Sequence, residues 1–258
     1  MKKKYFGILS LLLILVAIMG CQSPVDEPVE KENPWAAIDD LPNWLGSWTK
    51  VEGDMSIFAA CCTRGGGGHL SLTPEAQVQH DEVVDRIEAG LPGNNPLADC
   101  LPDGMPGILT HGITFEFLFS PGIVTQLFED GEVRRIFTDG RDHQPEDLYI
   151  SAEGHAIGHW EGEALVVDTV GMTLDAVLFL TGNMKVTKDT HVIEKYFLTS
   201  ENILQIDTTV IDPNVFTEPY TYTLEYDRLL REDDFPIGCK VSNRDLEESV
   251  DLTPPPEY

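Results

Sequence analysis

The chain has 258 residues, of which 42% are hydrophobic and 24% charged, and its 44 acids against 17 bases give a formal net charge of −27. An acidic surface of this size repels nucleic acid and anionic lipid headgroups, so neither is expected as an electrostatic partner.

The chain opens with Lys2, Lys3 and Lys4, then an apolar run over residues 5–19, then Gly20 and Cys21. This is the layout of a secretory signal, and the run falls short of the roughly 20 residues a membrane-spanning helix needs. Ile18-Met19-Gly20-Cys21 looks like a lipobox, which predicts cleavage before Cys21 and lipidation there. Removing the leader takes away three lysines and no acids, moving the formal charge from −27 to −30. Gln22 after the lipidated cysteine resembles the sorting pattern of outer-membrane lipoproteins, so in a Gram-negative host the expected location is the cell envelope, facing the periplasm. Residues 22–34, QSPVDEPVEKENP, lack aromatics and read as a flexible tether. The domain plan is a signal peptide over 1–20, lipid anchor and tether over 21–34, one β-rich domain over 35–246, and an acidic tail over 247–258.

After lipidation four cysteines remain, Cys61, Cys62, Cys100 and Cys239, and an even number in an oxidising compartment predicts disulfides. Adjacent Cys61 and Cys62 each need a distant partner, and Cys100 with Cys239 is the first expected pair. A metal site from Cys61, Cys62 and His69 lacks the usual CxxC spacing, so no metal is expected. The loop Arg64-Gly65-Gly66-Gly67-Gly68-His69 lacks the lysine of a phosphate-binding loop.

Thr73 as N-cap with Pro74 at the first helical position predicts one N-terminal helix running through Val83, Val84 and Ile87 to Gly90. From Thr114 onward, short β-branched and aromatic runs alternate with Pro-Gly, Asp-Gly and Glu-Gly turn signals. The predicted strands are 115–119, 123–128, 133–137, 155–160, 164–170, 192–198, 203–211 and 220–226. A sheet this large avoids exposed edges by closing or doubling over. The expected fold is mainly β, an antiparallel meander closing into a calycin- or lipocalin-like barrel, with a β-sandwich as the alternative. Such a barrel has room for one small ligand.

Residues 154–169, GHAIGHWEGEALVVDT, resemble the GHSIGxWEGDTLVVDT signature of an uncharacterised family of exported bacterial proteins. Residues 96–106 are similar to its CxPxGMP segment, 133–143 to its VRRIYTDGRxH segment, and Asp212, Pro213, Thr217 and Pro219 to its DPxxxTxPW segment. The resemblance covers about 72–240; Ala156, Glu163 and Tyr220 stand where Ser, Asp and Trp are commoner. It implies an exported β-rich fold and carries no activity with it.

Chemistry is therefore read from side-chain direction. Alternate strand residues share a face, so His155, Ile157 and His159 lie on one side and Trp160 on the other. His155 and His159 are about 13 Å apart at Cα, too far to share one metal easily. His155 is the candidate acid–base residue, with Asp168 across the Glu161-Gly162 turn or Glu194 on a neighbouring strand as its orienting carboxylate. Of the pair Arg134 and Arg135, flanking Val133 and Phe137 point to Arg135 as the interior one, paired with Glu116, Glu194 or a bound anion. Trp160, His159 and His143 complete the candidate ligand contacts, His143 at a barrel mouth and Trp160 more simply a core residue.

The chain lacks a GxSxG elbow and a dinucleotide fingerprint, and no organic cofactor is expected. Two functions remain. One is an outer-membrane-anchored barrel that binds a small hydrophobic or amphipathic molecule. The other is a cofactor-independent lyase, isomerase or hydrolase using His155 and a carboxylate.

Overall fold

The computed structural model describes residues 41–51, 70–91, 101–144, 150–174, 176–178 and 184–229. Chain contacts divide the molecule into Met1–Asn33 and Pro34–Tyr258, and every described residue lies in the second unit. The leader, the tether, Cys21, Cys61, Cys62, His69, Cys100, Cys239 and the tail over 247–258 lie outside the described residues.

The fold is a closed barrel of nine strands, ordered β1 (Ser47–Lys50), β11 (Tyr220–Leu229), β10 (Ile203–Ile211), β9 (His191–Ser200), β6 (Ala164–Val170), β5 (His155–Glu161), β4 (Val133–Phe137), β3 (Ile123–Phe128) and β2 (Phe115–Ser120). Pairing of β1 with both β11 and β2 closes the ring and leaves it without an edge. A two-stranded sheet of β7 (Val177–Leu178) and β8 (Met184–Lys185) lies in the excursion between β6 and β9. The barrel departs from the expected meander at one place, where β4 and β5 pair in parallel. A parallel neighbour cannot be reached by a tight hairpin and needs a long crossover. Here that crossover is the stretch 138–154.

Helix α1 (Pro74–Glu88) begins as its sequence predicts: Thr73 Oγ1 accepts from the Ala76 amide at 3.2 Å, and Pro74 occupies the first turn. Its buried face carries Ala76, His80 and Val84. A single further turn, α2 (Gly107–Thr110), is wholly buried.

The inner face of the barrel is filled by the protein's own side chains. Trp44 and Trp48 are fully buried with Phe115, Phe117, Tyr196 and Tyr226, and their rings meet at centroid distances such as 4.9 Å for Trp44 with Phe117 and for Phe115 with Tyr226. Strict in–out alternation along β10 brings Leu204, Ile206, Thr208 and Val210 into the same interior.

Among these apolar groups sits Arg134, 1% exposed, and the interior is built to hold it. Its Nη1 donates to Gln126 Oε1 at 3.1 Å, Glu194 Oε1 at 3.1 Å and Tyr196 Oη at 2.9 Å, while Nη2 donates to Thr169 Oγ1 at 2.7 Å and to Glu194 Oε2. Burial alone would lower the affinity of Arg134 for its proton, but the Glu194 carboxylate holds it above its ordinary value. This corrects the expectation that Arg135 enters the core. The inner face of β4 is Arg134 with fully buried Ile136, whereas Val133 and Arg135 are exposed on the outside. Flanking apolar residues misled because Val133 and Phe137 lie on the outer wall.

Candidate functional site

Three adjacent strands set up the site on the outer wall. His155 registers with Val170 across β5 and β6, and Asp168 registers with Ile157 on one side and Ile193 on the other. With Ala156, Thr169 and Val192 buried, the alternation turns His155, Asp168 and His191 outward together. Gly154 makes the entry to β5 possible: its φ of +72° is left-handed, and a Cβ there would stand 2.8 Å from Met172 Sδ, Thr169 Cγ2 and Val170 O.

The crossover 138–154 then lays His143 over these residues. His143 Nδ1 is 2.7 Å from His155 Nδ1, and His143 Nε2 is 3.1 Å from Asp168 Oδ1. His191 Nε2 reaches the same Asp168 oxygen at 2.6 Å. Phe137 stacks on His155 at 5.7 Å, and the Arg141 guanidinium lies 3.8 Å over the Phe137 ring. Arg141 is itself clamped by both carboxylate oxygens of Asp139.

Burial works against ionisation of Asp168, but hydrogen bonds from His191 and His143 outweigh it and hold the carboxyl below its ordinary range. The bond to Asp168 raises His191, against a smaller opposing effect of burial. An ionised carboxylate only accepts, so His143 must carry a proton on Nε2. In its neutral form His143 Nδ1 is then an acceptor, and His155 must donate to it from Nδ1. The lone pair of His155 therefore sits on Nε2, at the ring edge away from His143. With both rings neutral, this is the tautomeric arrangement that the contacts among Asp168, His143 and His155 allow.

His155 lines two grooves. One, of about 430 Å³, is lined by Val133, Arg135, Phe137, Ser151, Glu153, Gly154 and His155. The other, of about 660 Å³, is lined by Asp139, Gly140, Arg141, Asp142, Gln144 and His155. Three histidines and a carboxylate meet here without converging on one point, since His143 directs its two nitrogens at different partners; among the described residues no group of three or more His, Cys, Asp or Glu is arranged to hold a metal ion.

Several expected contacts are placed elsewhere. Among the described residues Asp168 is joined to His155 through His143, which lies half-buried beside the first residues of β5 and β9. Glu194 is in the interior with Arg134 and does not orient His155. Glu116 faces outward on β2 level with Leu127, and forms no ion pair with either arginine among the described residues. His159 shares the outer face with His155 but lies further along the strand, 3.4 Å from Glu161 Oε1. Trp160 packs inward, 5.3 Å from Trp44 and 6.4 Å from Phe119, as a core residue. His191 was not anticipated; its outward parity with Ile193 and Lys195 is readable, but its place beside Asp168 depends on β6 pairing with β9 across the β7–β8 excursion.

No protein-family model matches the chain, and neither does any curated protein.

Proposed function

We propose that this chain is a lipid-anchored enzyme of the bacterial envelope, tethered through Cys21 and facing the periplasm from the outer membrane, that performs acid–base chemistry on a small molecule without an organic cofactor. The observation that carries the reading is the hydrogen-bonded series His155–His143–Asp168, extended by His191 and ending at a groove.

In the proposed step His155 Nε2 takes a proton from the substrate or from a water attacking it. The positive charge that forms on His155 is shared with His143 through the Nδ1 contact and balanced by Asp168. Return of the proton from Nε2 to the leaving group or product completes the cycle with no net change in the protein. A ligand held in the barrel lumen finds less support, because the aromatic interior and the Arg134 network already occupy the described core.

The test is turnover. Wild type, His155→Ala and Asp168→Asn are compared on a panel of aryl esters, hydroxy acids and epimerisable amino acids. The reading expects at least one substrate class that wild type converts and both variants convert about 100-fold or more slowly, with melting temperatures within a few degrees of wild type. Conversion that survives His155→Ala would overturn it.

A further inference from the structure

Arg135 is the one lysine or arginine among the described residues with neither a hydrogen bond, an ion pair nor a ring contact. In a chain with 44 acids and 17 bases, that is an unexpected place to find an uncompensated cation. Proximity does not explain it, because Glu153 lines the same groove. Glu153 nevertheless forms no ion pair with Arg135 among the described residues. Burial, then the charge of Asp130, push the neighbouring Glu132 up to about 8. Glu132 is held in turn by the Asp103 amide, which donates to its Oε1 at 3.0 Å.

The cation's position has a direction as well as a charge. In the parallel β4–β5 register Ile136 is level with Ala156 and Phe137 with Ile157, so one step back along both strands puts Arg135 level with His155. Beside them the exposed side of Val133 and the Phe137 ring give the groove an apolar floor.

We propose that this groove binds a small organic anion with an apolar body, a carboxylate or its sulfate equivalent, with the anionic head on Arg135 and the body along Phe137 toward His155. The inference rests on reading the groove as the active site and adds the substrate class. A planar guanidinium suits this role because it grips a carboxylate through two parallel hydrogen bonds.

The experiment uses the full chain in detergent at low ionic strength, with phenylacetate as probe and phenylacetamide as its neutral isostere, followed by NMR shifts of Val133, Phe137 and His155. Phenylacetate should bind saturably, phenylacetamide at least about fivefold more weakly, and Arg135→Gln should weaken phenylacetate by about the same factor while leaving phenylacetamide unchanged. Phenyl sulfate in parallel separates a carboxylate site from a general anion site, and binding of either on Arg135 supports the proposal. Equal binding of acid and amide, no binding of either anion, or indifference to Arg135→Gln would overturn it. The ring-nitrogen signals of His155 and His143 in the same samples report the relay separately: a failed anion site with the relay tautomers intact leaves the acid–base reading standing, and lost tautomers would end that reading whatever the probe does.

Discussion

Asp168 and His191 give the cluster a pH signature that can be signed. His191 is raised above its ordinary 6.5, so its contribution to stability is fully present below that value and is lost as pH rises through the folded one. Asp168 is lowered from 3.8, so its contribution is present above that value and is lost as pH falls through the folded one. Thermal melts should therefore show His191→Gln furthest below wild type between these two limits, with the gap closing in alkaline solution. Glu132 has the opposite consequence for an acid. It is raised from 4.5 to about 8, the native state holds a proton the unfolded chain has released, and stability declines as pH rises across that interval. Glu132→Gln keeps the oxygen that accepts from Asp103 and should melt above wild type beyond about pH 8, while matching it near pH 4.5. For the core network, Glu194→Gln leaves Arg134 buried without its counter-charge and should cost about 3–5 kcal/mol by urea unfolding.

Strands and turns are where the sequence was most readable, because alternation and turn residues act locally. The runs at 123–128, 133–137, 164–170 and 203–211 coincide with β3, β4, β6 and β10, and Thr73 caps α1 as expected. What local pattern could not supply was partnership between strands distant in the chain. The parallel β4–β5 pair and the β6–β9 pair are set by closure of the barrel, and those two pairings bring Arg135, His155, Asp168 and His191 to one wall. The facing of β4 was misread for a related reason: an arginine is stable inside only when Gln126, Thr169, Glu194 and Tyr196 converge on it from three other strands, and no window of sequence around Arg134 contains them. The turn before β5 offers a test at this scale. Gly154→Ala forces a left-handed residue and a Cβ into backbone and side chains at 2.8 Å, with an expected cost of about 1–3 kcal/mol. Because the same turn aims His155, turnover should fall further than the loss of folded protein accounts for.

At the scale of the whole molecule, the barrel has no open edge and its interior is occupied by aromatic rings and the Arg134–Glu194 ion pair, which is why the proposed chemistry is placed on the wall. In a chain of net charge −27, an uncompensated arginine level with His155 is the feature the proposal assigns to a small anion. Anchoring through Cys21 would hold this wall within the envelope, and acyl-chain mass spectrometry on the isolated chain checks it: a lipid on an N-terminal Cys21 is expected, and an unmodified leader over residues 1–20 would contradict it.

The central claim is that Asp168, through His143, sets His155 as a base with its lone pair on Nε2. Long-range proton–nitrogen NMR on the histidine side chains tests it most directly. The account predicts His155 protonated on Nδ1 and His143 on Nε2 in the neutral protein, and a changed His155 tautomer population in Asp168→Asn. His155 protonated on Nε2, with a spectrum indifferent to Asp168→Asn, would contradict it.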